Sequence, residues 1–272
     1  MVFTVVVGMV LATPGWVPWQ VLAAGTLGIA LMSGSAAAVN HLVDRHVDAV
    51  MARTRARPLP RGTLGAPQVL CFASALGAAG FALLLAFTNP LCAWLTLASL
   101  LGYAVVYSMF LKHATPQNIV IGGAAGAAPP LLGWVAVTGR LDAGALLLFL
   151  IILIWTPPHF WALAIHRRDD YARACIPMLP VTHGVPFTAR RVFAYSIVLW
   201  VVSLLPFVIG MSGWVYLLAA AGLGARFAWQ ARALCRDPLP LAMPTFRASI
   251  SYLFMLFAML LVDHWLVTPP AL

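Results

Sequence analysis

Three oxygen-bearing side chains recur at four-residue spacing in the stretch NHLVDRHVDAVMARTRARPLPRG. The stretch spans residues 40–62, and the three side chains are Asn40, Asp44 and Asp48. If one helix carries them, successive members lie about 40° apart around its axis and about 6 Å apart along it, which places them on one stripe. Carboxylate and amide oxygens suit Mg²⁺, which takes one or two carboxylates with waters and phosphate oxygens. The alternative is a solvated helix end whose acids pair with Arg45 or Arg53.

A second acidic group, Asp169 and Asp170, lies in the stretch HRRDDYARACIPMLP at residues 166–180. Each group leads into a segment with Pro and Leu that ends at a glycine, Gly62 or Gly184. Corresponding positions are separated by about 122 to 126 residues. This spacing predicts a weak parallel repeat, in which two helical halves each offer acids to a central cleft. Chance explains the repeat equally well, because membrane loops often carry Asp, Arg and Pro.

Two acidic clusters that share Mg²⁺ and are flanked by arginines suit one kind of chemistry. They can bind a diphosphate and stabilise it as a leaving group, because the metal neutralises the charge that grows on the departing oxygen. At a membrane face, the hydrocarbon tail of the substrate can lie among the helices. The pattern therefore predicts a lipid diphosphate as substrate.

The elements that must position these groups are predicted to be membrane helices. Of the 272 residues, 62% are hydrophobic and 8% are charged, whereas a soluble domain has about 25% charged residues. Apolar stretches of about 20 residues can cross a hydrocarbon core of about 30 Å as helices. The prediction is a single all-α domain over residues 1–272, a polytopic transmembrane helical bundle. Its eight full spans are predicted at 20–39, 67–88, 91–111, 117–138, 143–165, 190–210, 212–230 and 247–267.

A shorter apolar stretch, MVFTVVVGMVLA, is interpreted as the end of a first helix, which makes nine. With this helix numbered first, 15 of the 16 Lys and Arg residues are assigned to the loops after helices 2, 4, 6 and 8, and Arg140 alone lies on the other side. The positive-inside bias places those loops and both acidic groups in the cytoplasm, with the C-terminus outside. Topology and anion binding explain the net charge of +9, so no nucleic-acid partner is expected.

The first acidic stretch and two later ones resemble motifs of a known family. The later stretches are LKHATPQNIVIGGAAGAAPPLLGWVAVTG at 111–139 and WTPPHFWALAIHRRDDYARACIPMLPVTHG at 155–184. All three resemble the heme O synthase branch of the UbiA-type intramembrane prenyltransferases, and the resemblance covers essentially the whole chain. It implies nine helices, a lipid-bilayer location in a bacterial inner (plasma) membrane, and Mg²⁺ as cofactor. It also implies a reaction in which heme b, farnesyl diphosphate and water give heme O and diphosphate.

The resemblance also assigns roles to individual residues. Asp44, Asp48 and Asp170 are the implied catalytic residues, and with Asn40 they match the metal-binding positions. The basic positions suited to the diphosphate oxygens are Arg53, Arg57 and Lys112. The role of Asp169 stays open, and Cys175 stands where relatives commonly have glycine. Heme A synthase or oxidase-assembly proteins are the implied protein partners.

Histidine can bind heme iron through a neutral imidazole. The first candidate is His159, which lies on the predicted sixth helix and could equally be a hydrogen-bonded structural histidine. The second is His41, beside the acidic stripe. The remaining histidines that the sequence assigns to the surface are His46, His113, His166 and His183.

Two other functions compete with heme farnesylation. One is prenylation of an aromatic quinone precursor, which the heme-type motifs disfavour. The other is secondary transport, which a repeat and proline-interrupted helices would fit; such interruptions are expected at Pro129–Pro130 and Pro157–Pro158. Most predicted spans contain no ionisable residue, whereas ion relays place some at mid-membrane. The glycines Gly122, Gly123 and Gly126 are expected to permit close helix packing rather than phosphate binding.

Overall fold

A computed structural model describes residues 1–51, 54–111 and 115–267, and these residues form helices and connecting turns without strands. In chain order the helices are α1 (Val2–Leu11), α2 (Trp19–Val43), α3 (Arg45–Val50), α4 (Ala66–Phe87), α5 (Pro90–Leu101), the π-helical segment π1 (Gly102–Leu111), α6 (Asn118–Thr138), α7 (Ala143–His166), α8 (Arg168–Arg173), α9 (Leu179–Thr182), α10 (Val185–Val208), α11 (Trp214–Arg236) and α12 (Pro238–Val267).

The long helices account for seven of the eight predicted full membrane spans; the span predicted at 212–230 corresponds to α11, which is less apolar. Within the described ranges, seven helices are long and apolar enough to cross a membrane: α2, α4, α5 with the start of π1, α6, α7, α10 and α12. Helix α11 has sufficient length at 23 residues, but Arg226 and Gln230 lower its hydropathy. Helix α1 has 10 residues. The transmembrane helical bundle predicted from the sequence is therefore confirmed.

Several helices extend beyond the predicted spans. Helix α11 was expected to end at residue 230, yet it continues through Arg232 to Arg236. Helices α10 and α12 begin before residues 190 and 247, so Arg190 and Arg247 lie within helices rather than in loops. The physical reason is that a helix satisfies its own backbone beyond the hydrocarbon, while arginine directs its charged end toward water.

The two predicted halves repeat the same order of elements. In each, one residue separates the end of a long helix from a six-residue helix: α2 precedes α3, and α7 precedes α8. The segments that follow end at Gly62 and Gly184, whose φ angles are +72° and +82°. Glycine adopts this left-handed backbone without the steric cost that a Cβ atom imposes. The glycine at the end of each segment is thus a structural requirement of the repeat.

One apolar cluster gathers the helix ends that carry both acidic stretches. It includes Met51, Ile119, Ile165, Val192 and Leu234, which come from the segment after α3 and from α6, α7, α10 and α11. We refer to this end as the motif end of the bundle. At the opposite end, the side chain of Asn89 donates to the carbonyls of Val135 and Ala136. Arg140 lies two residues after the end of α6 at this side, so it is separated from the other basic residues that the structure describes.

Helices α6 and α7 remain continuous through their proline pairs, so the expectation that the prolines would interrupt them is wrong. Each proline still removes one N–H from the hydrogen-bond ladder. The proline-containing turn of α6 also packs closely against α1: Gly8 of α1 approaches the Pro130 carbonyl, and Gly133 of α6 approaches the Val5 carbonyl. Helix α1 is therefore held against the proline-containing turn of α6 by two glycines.

Candidate active site

The acidic stripe forms where α2 passes into α3. The Asp44 amide donates to the Asn40 carbonyl at 2.9 Å, and the Asp48 amide donates to the Asp44 carbonyl at 2.8 Å. The four-residue hydrogen-bond spacing thus continues across the break at Asp44, and the predicted stripe is retained. Asp44 is 5% exposed and Asp48 is 4% exposed. Both carboxylates therefore lie at the motif end but inside the protein.

The amide of Asn40 has one defined orientation. The Ser108 hydroxyl donates to the Tyr103 carbonyl at 2.9 Å, so its oxygen can only accept from Asn40, whose Nδ2 lies 2.8 Å away. A serine hydroxyl has a single proton, which fixes the direction of this chain of hydrogen bonds. The Asn40 oxygen is consequently directed away from Ser108 and remains a potential metal ligand.

Asp48 is held by the segment that follows α3. Arg57 Nη1 lies 2.7 Å from the Asp48 carboxylate, and the Thr54 hydroxyl donates to the Asp48 carbonyl at 3.0 Å. The side chain of Arg57 is 27% exposed, so it joins the buried acid to the surface. The predicted diphosphate ligands Arg53 and Lys112 lie outside the described residues.

Two tyrosines of π1 stand beside the stripe, and sequence reasoning missed both. The rings of Tyr103 and Tyr107 stack with their centroids 5.4 Å apart. Tyr103 lies within electrostatic range of Asp44 and Arg57, and Tyr107 lies within electrostatic range of Asp44 and Tyr171. Their four-residue spacing could have indicated that the two rings share one face of a helix. The π-helical backbone, a form often found at functional sites, was not predictable from that spacing.

An apolar cavity of roughly 360 Å³ extends from Tyr107 between α5, π1, α6 and α7. Its walls include Leu95, Val106, Ile121, Leu131 and Phe149. Val106 and Ile121 are also exposed, so the cavity opens on the membrane-facing surface. A hydrocarbon chain could enter it from the bilayer and place its polar end near the acids.

Two of the three glycines in the α6 motif serve helix packing, as predicted. A Cβ atom on Gly122 would overlap the ring of Tyr107, and one on Gly123 would meet the Thr156 side chain at 2.9 Å. At Gly126 a Cβ atom would meet nothing within 4 Å. Gly122 thus sets the position of a tyrosine that lines the cavity and whose neighbour, Ser108, is hydrogen-bonded to Asn40 of the stripe.

The second acidic group lies on α8, in the same apolar cluster as the first. Tyr171 packs there with Val47 and Met51. Asp170 forms ion pairs with Arg167 at 3.5 Å and with Arg173, whereas Asp169 is exposed. Both short helices therefore border the same apolar cluster.

The carboxylates themselves are not assembled into one group. Among the described residues, no three His, Cys, Asp or Glu side chains form a group that could hold a metal. The shared metal site that includes Asp170 stays a prediction, as does the role of Asp169.

His159 is buried on α7 and faces α12. Its ring is stacked between Trp155, with centroids 4.1 Å apart, and Phe246, at 4.5 Å. The Ser249 hydroxyl donates to the Phe246 carbonyl at 2.6 Å, so His159 Nδ1 must donate to Ser249 across 2.7 Å. This hydrogen bond gives the buried ring the partner that a structural histidine needs. It also makes Nε2 the unprotonated nitrogen, the form that binds metal.

The other histidines that the structure describes are half-buried or exposed. His41 is half-buried on α2 beside Asn40, which leaves its proposed contact with heme a prediction. The predicted surface positions of His46, His166 and His183 are confirmed, since all three are exposed. His113 lies outside the described residues.

Comparison with known proteins gives a consistent result. Residues 1–256 match the model of the UbiA prenyltransferase family. Protoheme IX farnesyltransferase 1 of Pseudomonas aeruginosa strain UCBPP-PA14 is 63% identical over 271 residues, covering 98% of this chain and 89% of that protein.

Two solved structures share the fold. The structure of digeranylgeranylglyceryl phosphate synthase has a TM-score of 0.82 at 17% identity, covering 97% of this chain and 92% of that one. A UbiA homolog from Archaeoglobus fulgidus, bound to DMAPP and Mg²⁺, has a TM-score of 0.67 at 16% identity, covering 96% and 95%. The family match over nearly the whole length, together with the helical bundle, leads to one conclusion: this chain is an integral membrane protein that belongs to the UbiA prenyltransferase family.

Proposed function

We propose that this protein transfers the farnesyl group of farnesyl diphosphate to a vinyl group of heme b, with addition of water, and so produces heme O and diphosphate. Relatives that are 62–63% identical over 98% of the chain are named protoheme IX farnesyltransferases. The motifs of α6 and α7 support heme as the acceptor, because they distinguish the heme branch from relatives that modify quinone precursors. Membership of a prenyltransferase family argues against the transporter alternative.

The position of Tyr107 is the observation that carries the proposal. This residue lines the apolar cavity and lies within electrostatic range of Asp44. A lipid diphosphate could therefore bind with its hydrocarbon chain in the cavity and its charged end at the acidic stripe. The cavity volume of roughly 360 Å³ is within the usual range for ligand pockets, about 300–1,000 Å³.

The donor atoms of the stripe fit a magnesium ion. Asn40, Asp44 and Asp48 offer an amide oxygen and two carboxylates, and both carboxylates are at least nine-tenths buried. Hard oxygen ligands of this kind are those that Mg²⁺ prefers. When bound, Mg²⁺ would neutralise charge on the leaving diphosphate. The Archaeoglobus fulgidus homolog bound to DMAPP and Mg²⁺ supports the same assignment.

The protein residues contribute binding, charge stabilisation and exclusion of water. Arg57 is held by Asp48 through Nη1, and its remaining N–H groups can donate to diphosphate oxygens. Breaking the bond between farnesyl C1 and oxygen leaves an allylic cation, which the ring of Tyr107 can stabilise through its π face. The heme vinyl group then forms the new carbon–carbon bond, and water adds to the resulting porphyrin-stabilised cation with loss of a proton.

The acceptor and the location belong to the same proposal. We assign His159 Nε2 as the first candidate for heme iron and His41 as the second. The basic motif end faces the cytoplasm of a bacterial inner membrane, as the positive-inside bias requires. Heme O then passes to a heme A synthase or an oxidase-assembly protein.

The acceptor can be tested by supplying the two candidate acceptors in separate reactions. Purified membranes that contain the full-length protein are supplied with farnesyl diphosphate, Mg²⁺ and either heme b or an aromatic quinone precursor. Mass spectrometry should detect hydroxyethylfarnesyl heme and no farnesylated aromatic product. Farnesylation of the aromatic compound in place of heme would assign the protein to another branch of the family.

A further inference from the structure

The motif end of α11 carries a basic groove that the proposed reaction does not use. Its walls are Trp229, Arg232, Ala233 and Arg236, and its volume is roughly 320 Å³. Both arginines are exposed. We refer to these four residues as the α11 groove.

The groove lies on the same face of α11 as the exposed apolar residues of that helix. Trp214, Leu218 and Trp229 are 69%, 71% and 74% exposed. At 100° per residue, these three residues and both groove arginines fall within about 60° of arc. In a bundle whose other long helices cross the membrane, large apolar side chains exposed to this degree are expected to contact lipid. The α11 groove therefore opens toward the bilayer.

The two tryptophans indicate how deep the groove lies. Tryptophan is enriched at the two membrane interfaces. Trp214 and Trp229 are separated by about 22 Å along the helix, and Arg232 and Arg236 lie about 5 and 10 Å beyond Trp229. Arg232 and Arg236 therefore lie about 27 and 33 Å from Trp214 along the helix, and with a hydrocarbon core of about 30 Å this places both arginines near the lipid phosphates of the motif-end leaflet.

The charge of the groove is not balanced by nearby acids. In the described part of the chain, neither Arg232 nor Arg236 forms an ion pair with a carboxylate. Asp237 follows Arg236 directly, but it is exposed and makes no such pair. The start of α10 adds further positive charge, because the Cys235 thiol donates to the Ala189 carbonyl at 3.3 Å and so brings Arg190 alongside.

From this combination we infer that the α11 groove binds an anionic phospholipid of the motif-end leaflet. The lipid phosphate accepts hydrogen bonds from Arg232 and Arg236, and Trp229 packs against the glycerol and upper acyl region. Two guanidinium groups at the membrane surface favour an anionic lipid over a zwitterionic one. The bound lipid would hold the end of α11 against α10, where the Cys235 thiol already joins them.

The inference can be tested by titrating the purified full-length protein in neutral detergent with dioleoylphosphatidylglycerol, while thermal unfolding is followed. Dioleoylphosphatidylcholine and inorganic phosphate are the comparison probes. In the wild type, phosphatidylglycerol should raise Tm in a saturable manner and far more than either comparison probe. In Arg232→Gln/Arg236→Gln, the half-saturating concentration of phosphatidylglycerol should rise about 30-fold, at the usual contribution of each basic residue.

A matched control variant is Arg55→Gln/Arg61→Gln, which removes two exposed charges from the same end of the bundle. It should respond to phosphatidylglycerol as the wild type does. An equal response to phosphatidylglycerol in the groove variant and the wild type would overturn the inference. A response of the wild type to inorganic phosphate as large as its response to phosphatidylglycerol would also overturn it, because it would indicate a simple anion site. High salt applied to the wild type gives a test that does not depend on folding of a variant: loss of the response supports the site, and an unchanged response contradicts it.

Discussion

Arg57 connects a buried carboxylate to the surface at which diphosphate is proposed to bind. Arg57→Gln removes the partner of Asp48, 2.7 Å away, and a proposed donor to the diphosphate. We expect the rate of farnesyl transfer to fall about 10- to 100-fold, because charge-assisted hydrogen bonds to phosphate are among the strongest in proteins. Steady-state kinetics in membranes would measure this fall. Arg55→Gln is the control, since Arg55 is exposed nearby, and equal losses in both variants would contradict a specific role.

Cys175 has a backbone conformation that suits glycine better than a residue with a Cβ atom. Its φ angle is +52°, in the left-handed region that costs a residue with a Cβ atom about 1–2 kcal/mol. Because glycine also loses more entropy on folding, we expect Cys175→Gly to stabilise the protein by about 1 kcal/mol. Thermal unfolding in detergent should show a higher Tm. Cys71→Gly, on the surface of α4, should instead lower Tm, and a lower Tm in both variants would refute the explanation.

At the scale of elements, the contact between α6 and π1 controls the entrance to the cavity. Gly122→Ala forces its new methyl group against the ring of Tyr107. We expect KM for farnesyl diphosphate to rise about tenfold, because small displacements of positioning groups have large kinetic effects. Gly126→Ala adds the same methyl group where no atom lies within 4 Å, and it should retain wild-type kinetics. A normal KM in Gly122→Ala would remove Tyr107 from the substrate path.

A second element contact stabilises the start of α11. Asp263 of α12 is completely buried and accepts hydrogen bonds from the backbone amides of Gly213 and Tyr216. A carboxylate at a helix N-terminus satisfies its free N–H groups and interacts favourably with the helix dipole. Asp263→Ala should therefore lower stability by about 2 kcal/mol. Thermal unfolding would measure this change. Asp237→Ala is the control, since Asp237 is exposed and its removal should leave Tm unchanged.

These element contacts also show which parts of the structure could be predicted from the sequence. The stripe of Asn40, Asp44 and Asp48 was predictable because helical periodicity is a local property. The hydrogen bond between Asn40 and Ser108 joins residues 68 positions apart, and the cap by Asp263 joins residues 50 apart. Such contacts depend on how helices pack, which periodicity does not determine. The extension of α11 was missed because hydropathy reports the thickness of the hydrocarbon and not the length of the helix.

At the scale of the whole molecule, the bundle brings an acidic, polar end and an apolar cavity together at Tyr107. The buried stripe, the half-open cavity and the repeated halves suit a substrate with a charged head and a hydrocarbon tail. In the proposed reaction, this arrangement would keep the reacting carbon close to the membrane and limit its access to water. A soluble domain could offer the same ligands, but it could not accept a prenyl chain directly from the bilayer.

The central claim is that the buried stripe drives departure of diphosphate during heme farnesylation. The most direct measurement is the rate of heme O formation from heme b and farnesyl diphosphate, with and without Mg²⁺. The wild type is compared with Asp44→Asn/Asp48→Asn, the stripe variant, and with Asp142→Asn, all at equal membrane abundance. We predict Mg²⁺-dependent product from the wild type and from Asp142→Asn, whose altered carboxylate lies at the opposite end near Arg140. The stripe variant should lose at least about 100-fold in rate. Wild-type product formation by the stripe variant would contradict the account.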